Sequence, residues 1–301
     1  MEPERYGVAV DGGDLAVARW GGGGVVALAA HGITASHLAW AGVGEHVRSD
    51  LTLIAPDLRG RGDSRDLPAP YGMAQHAKDL RAVLDDAGAS RAIVAGHSMG
   101  GYVAAVFAST FPEQTAAVVL IDGGAAIGDP LPSDADVDVV LARVIGPALD
   151  RLDRRFTSRE QYRAFWREHP AFVDTGADPE WLDAYADHDL HGPPGDMRSK
   201  VDADAVRADG RDTLINEDMR RAVGQIDAPA VMLLAERGML NDQTPLFPPG
   251  AVAGLRTRRG PLDVIRVPGT NHYTILAGDV GARAVAHHLR AFAAGVAAGR
   301  P

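Results

Sequence analysis

Residues 91–102 read Arg-Ala-Ile-Val-Ala-Gly-His-Ser-Met-Gly-Gly-Tyr, and no other stretch limits the fold as strongly. A short apolar run enters Gly96-His97-Ser98-Met99-Gly100 and continues into a segment rich in Ala and Val. That order predicts a buried strand, a sharp turn carrying Ser98, and a helix over Met99–Thr110. A serine on such a turn needs strained backbone angles. Side chains two residues to either side would collide, so Gly96 and Gly100 are the residues the turn requires. The helix that follows presents unpaired N–H groups and the positive end of its dipole, which favours negative charge developing beside Ser98.

Other apolar runs with little polar alternation lie at 25–30, 51–55, 92–95, 117–121, 230–234 and 264–267. Such runs suit parallel strands covered on both faces. Helical patterns lie between them. Over 73–87, Ala77, Leu80, Val83 and Leu84 share one face, and a closing helix is expected over 280–294. A hairpin is expected over 7–20, turning at Gly12-Gly13. Alternating strands and helices predict a doubly wound, mostly parallel α/β sheet. The alternation stops after Gly123-Gly124, and residues 125–225 are mostly helix-like. The expected organisation is a core domain of residues 1–124 and 226–301 with a helical cap inserted at 125–225.

Composition removes several chemistries. The chain has 301 residues, no cysteine and a formal charge of −10. Disulfides, thiolate metal sites and a cysteine nucleophile are therefore excluded. The acidic balance argues against a nucleic-acid partner. No apolar run is long enough to span a membrane. The first residues lack a signal-peptide pattern, so a cytoplasmic location is expected.

Three further segments complete a candidate site. His31-Gly32-Ile33 follows the first core strand. Acyl transfer needs two N–H donors aimed at the developing oxyanion, and the expected pair is Met99 N–H and Ile33 N–H. Gly32 would let backbone approach the substrate, and His31 is read as a brace for the loop. His272 follows the last strand in Thr270-Asn271-His272-Tyr273 and is the expected general base. Ordinary imidazole titration then predicts activity falling below about pH 6–7. The acid that orients His272 is left between Asp242, the first choice, its rival Asp122, and Glu236 third. Trp166, Trp181 and Tyr185 are candidate substrate contacts. His188 and His191 have helical spacing but no evident third ligand, so no metal site is expected.

Together with the segment Asp57-Leu-Arg59-Gly60-Arg61-Gly62-Asp63-Ser64, these motifs give the chain a resemblance to the α/β-hydrolase superfamily, in its branch of capped esterases, lactonases, carbon–carbon bond hydrolases and cofactor-free haloperoxidases. The resemblance implies an α/β-hydrolase fold and a serine hydrolase acting on a small, largely apolar ester or lactone through an acyl-enzyme. No cofactor is called for, and a homo-oligomer stays open. The alternatives are cleavage of a carbon–carbon bond in a diketone-like metabolite and a non-catalytic small-molecule binder. Serine at 98 argues against the relatives that use an aspartate nucleophile.

Overall fold

The computed structural model describes residues 2–126, 131–132 and 135–299. Eight strands form one sheet: β1 (Glu4–Val10), β2 (Gly13–Trp20), β3 (Val26–Ala30), β4 (Thr52–Pro56), β5 (Ala92–His97), β6 (Thr115–Ile121), β7 (Ala230–Ala235) and β8 (Asp263–Val267). Their order is β1-β2-β4-β3-β5-β6-β7-β8. The β1–β2 hairpin is antiparallel, as is β2 against β4, and every pairing from β4 through β8 is parallel.

The central strands lack polar alternation because both faces are covered. Ile93 and Ala95 enter one apolar cluster, while Ala92 and Val94 enter the other. The first face is covered by α1 (Ala41–Val47), the second by α2 (Met73–Asp86) and α3 (Met99–Thr110). Ala77, Leu80, Val83 and Leu84 of α2 are all buried there, so the spacing read along the sequence is the packed face. β8 lies at the sheet edge, which leaves Val264 and Ile265 exposed.

Between β6 and its neighbour β7 the chain makes α4 (Val137–Asp153), α5 (Arg159–Arg167), α6 (Pro179–Asp189), α7 (Ala203–Ile215) and α8 (Glu217–Arg221). Each begins on a polar side chain that accepts from its own first turn. Asp136, Ser158, Asp178, Asp202 and Asn216 do this for the five helices in order. Such caps satisfy N–H groups left over at helix starts. After β8 come α9 (Thr274–Ala277) and α10 (Asp279–Ala297). Among the described residues no helix is long and apolar enough to cross a membrane.

Candidate active site

Ser98 stands between β5 and α3 with φ 55° and ψ −121°, a strained conformation for a residue with a side chain. The strain is held by close backbone packing. A Cβ at Gly96 would collide with the Gly100 carbonyl, and one at Gly100 with the Ala30 carbonyl. A third glycine matters equally. A Cβ at Gly123 would strike the backbone of Ser98 itself. In the sequence Gly123 stands out only as the point where the strand–helix alternation stops.

Met99 opens α3, so its N–H has no partner within the helix. On the other side lies the 31–35 loop. His31 Nε2 accepts from Leu58 N–H at 2.9 Å, which leaves Nδ1–H to donate to the Gly32 carbonyl at 2.7 Å. Burial pushes the imidazole of His31 down to about 3, so this tautomer persists in the neutral range. The Gly32 carbonyl belongs to the same trans peptide as Ile33 N–H. Fixing one end points the other the opposite way. Gly32, Ile33, Ser98 and His272 line one cavity.

His272 Nδ1–H donates to Asp122 Oδ2 at 2.6 Å, both groups buried. The other oxygen of Asp122 accepts Ala235 N–H at 3.0 Å. Asp122 takes φ 43° just beyond β6, a backbone turn that aspartate tolerates better than most residues. With Nδ1 committed to Asp122, Nε2 is the ring nitrogen left to exchange a proton.

Asp242, preferred from the sequence, does not meet the histidine. It is exposed, and its Oδ1 accepts Thr244 N–H at 3.0 Å while its carbonyl accepts Gly238 N–H. The longer turn after β7 folds back on itself and uses this aspartate as its own cap. Glu236 is also exposed, and holds Gly269 N–H at 2.7 Å. It braces the loop before His272.

His97, the residue before Ser98, faces the loop that carries His272. Its Nε2–H donates to the His272 carbonyl at 2.8 Å, tying the strand end to the loop of the base. Burial, then the neighbouring His272, pushes it down to about 3. Asn271 was quoted only as part of a motif. Its Oδ1 accepts from Tyr273 N and Thr274 N, and its Nδ2 donates to Ala171 O at 2.8 Å, joining the loop to the inserted helices. An Asn ahead of a helical turn is the signal that could have marked it.

Trp181 and Tyr185 line the cavity with Ser98, joined by Phe172 and Tyr273. Trp166 does not. It is 1% exposed, packs edge-on against Tyr185 and carries Arg151 over its ring at 4.8 Å. Tyr162 and Trp166 are one turn apart on α5 and share the face turned into the helices, so this ring is used in packing. A second, larger cavity of about 420 Å³ also reaches Ser98 and is walled by Val140, Leu141, Ile145, Leu214, Leu246 and Phe247. Ile33, Ser98 and Ile145 border both spaces.

His188 and His191 do not converge. His188 Nε2 lies 2.7 Å from Asp57 Oδ2, and His191 meets Arg65. His37, Asp57 and His188 do form a buried cluster within reach of a single ion. The Asp57 carboxylate, however, already takes His37 N–H, His37 Nδ1, Asp63 N–H and His188 Nε2. A carboxylate so occupied works as a hydrogen-bonded hub joining the core to α6.

A family model described as alpha/beta hydrolase fold matches residues 28–279. The chain belongs to the α/β-hydrolase fold family. It is 34% identical over 182 residues to Lipase LipV of Mycobacterium tuberculosis, a stretch covering 60% of this chain and 64% of that protein. The match thus spans less than two thirds of that relative. Among solved structures, E-2-(acetamidomethylene)succinate hydrolase superposes with a TM-score of 0.76 at 22% identity, covering 96% of this chain and 99% of the other. A thioesterase domain from the curacin biosynthetic pathway gives 0.73 at 18% identity, with 96% and 99% covered. At these identities the two structures speak to the fold alone. As an α/β-hydrolase, this chain departs from the sequence expectation in taking its histidine partner from the end of β6, not from the turn after β7.

Proposed function

We propose that this chain is a serine hydrolase that cleaves a carboxylic ester or lactone of a small, largely apolar substrate through an acyl-enzyme. The observation that carries the reading is a strained Ser98 lining the same cavity as His272, whose Nδ1–H is held by the buried Asp122. The lipase relative supports ester chemistry. The apolar walls of both cavities support a substrate with little charge.

Ser98 Oγ attacks the carbonyl carbon as His272 Nε2 takes its proton. Asp122 keeps the proton on Nδ1 and stabilises the imidazolium that forms. The carbonyl oxygen becomes an oxyanion between Met99 N–H and Ile33 N–H. A donor of this kind contributes about 3–4 kcal/mol to the transition state. The imidazolium then protonates the leaving alcohol, and water repeats the cycle to release the acid. His97 and His31, neutral and hydrogen-bonded, hold the two loops in place. The inserted helices act as a cap that closes both cavities.

Turnover of a p-nitrophenyl ester series and a lactone panel tests the reading. Wild-type activity should be lost by at least a thousandfold in Ser98→Ala. Unchanged turnover in that variant would reject Ser98 as nucleophile.

A further inference from the structure

Three successive carbonyls of the loop that carries Ile33 N–H are each held by a buried side chain. His31 holds Gly32 O at 2.7 Å, Arg61 Nε holds Ile33 O at 2.9 Å, and Arg151 Nη2 holds Thr34 O at 2.9 Å. His31 and Arg61 belong to the core, but Arg151 comes from α4, among the inserted helices. All three are 0% exposed.

Resting on the reading above, we infer that Arg151 is a positioning residue for the oxyanion donor: its bond to the Thr34 carbonyl makes the seat of the inserted helices part of the geometry at Ile33 N–H.

The way Arg151 spends its donors points to the loop. Its nearest carboxylate, Asp189 Oδ2, lies 3.6 Å from Nη1, beyond hydrogen-bond reach. Nε and Nη1 have no hydrogen-bond partner among the described residues, so the Thr34 carbonyl is the backbone acceptor this guanidinium grips, beside the Tyr185 hydroxyl. An arginine placed for ion pairing looks different in the same molecule. Arg59 grips Asp79 with two parallel bonds of 2.8 and 2.9 Å. Asp189 in turn is engaged by Tyr162 and Ser199, which fix it beside Arg151 without a fork. The face of Trp166 carries the rest of the guanidinium at 4.8 Å.

Arg61 supplies a parallel link. Its Nη1 lies 2.5 Å from Asp209 on α7, so the Ile33 carbonyl is also tied to the inserted helices, through one ion pair. Thr34 itself lines the cavity with Ser98. A loop held at three consecutive carbonyls has little freedom left to turn its intervening N–H away. Misplacing a catalytic group by about 1 Å can cost two orders of magnitude.

The test compares Arg151→Lys, Arg151→Gln and Asp189→Asn with wild type, using an ester that wild type turns over. Folding is followed by circular dichroism and affinity by inhibition with a trifluoromethyl ketone, whose adduct places an oxyanion in the same hole. Both Arg151 variants should lose about 10- to 100-fold in kcat with KM within about threefold, and ketone affinity should fall in step with kcat. Asp189→Asn should lower Tm yet hold kcat within about threefold. If both Arg151 variants fail to fold while Asp189→Asn folds and turns over normally, the role of Arg151 is structural and the inference is overturned. Folded Arg151 variants with kcat within twofold of wild type would overturn the inference, as would equal losses in Asp189→Asn. Failure of the underlying reading looks different: wild type itself would turn over no ester, or Ser98→Ala would stay active.

Discussion

Asp122 does its work with both oxygens, one on Ala235 N–H and one on His272 Nδ1. The first bond fixes the carboxylate to β7, and the second fixes the tautomer of His272. Asp122→Asn keeps the size but presents an amide N–H, or a weaker acceptor, to Nδ1. We expect kcat to fall roughly 10³- to 10⁴-fold, as loss of the correct tautomer does in serine triads. Asp242→Asn should leave kcat within about twofold, because that side chain caps an exposed turn. Comparable losses in the two variants, measured side by side, would refute the pairing seen here. The places of Ser98, on the turn after β5, and of His272, in the loop after β8, were legible in the sequence because each is flanked by glycine, asparagine or strand signals that restrict its position. The acid was not. Asp122 and Asp242 both follow a strand, and what separates them is a positive φ at one and a self-capped loop at the other. Neither shows in residue identity. Trp166 was misread for a related reason: an aromatic on an amphipathic helix reads the same whether its face meets a cavity or another helix.

The turn at Ser98 is an element built from backbone contacts, not from side chains. Gly96 and Gly100 sit where a Cβ would meet backbone, and so does Gly123 from the neighbouring strand end. Backbone cannot yield as a flexible side chain can. Gly123→Ala should therefore displace the turn, lowering both stability and labelling of Ser98. A thermal melt should show Tm reduced by several degrees, and turnover should drop by at least tenfold. A variant with native Tm and native turnover would show that the turn tolerates the methyl group. Most strand and helix ends of the sheet region were readable to within a residue or two, with β1 starting and α10 ending three residues outside the expected bounds, since unbroken apolar runs and a 3.6-residue stripe each suit one kind of element. The role of Gly123 was hidden because it depends on two strand ends lying side by side. The roles of His97 and Arg151 were hidden likewise, for each acts on a backbone carbonyl far along the chain.

At the scale of the molecule, buried polar links join the sheet to the helices between β6 and β7. Asp57 gathers His37 and His188, and Asp209 gathers Arg61 and His76. Burial alone would raise both carboxyls. Charge and hydrogen bonds from those partners outweigh it and hold both well below the usual range. Three histidines are buried in the neutral form: His31 and His97 are pushed down to about 3, His169 to about 4. In the unfolded chain they would titrate near 6.5. As pH falls below 6.5 the unfolded state takes up protons that the native state refuses. Each such histidine then removes about 1.4 kcal/mol of stability per pH unit until its native value is reached. Below about pH 4 the depressed carboxylates add to the loss with the same sign. Urea midpoints should fall steadily from pH 6.5 to 4.5, and a flat profile over that range would contradict the neutral burial of these rings.

A fluorophosphonate reagent reports directly on the Ser98 hydroxyl oxygen. Treatment of the intact chain, followed by peptide mass mapping, should place a single phosphonyl adduct on the peptide carrying Ser98. The adduct should be absent in Ser98→Ala and slow to form in Asp122→Asn. A folded wild-type chain that takes no label, or takes it on another residue, would contradict the account.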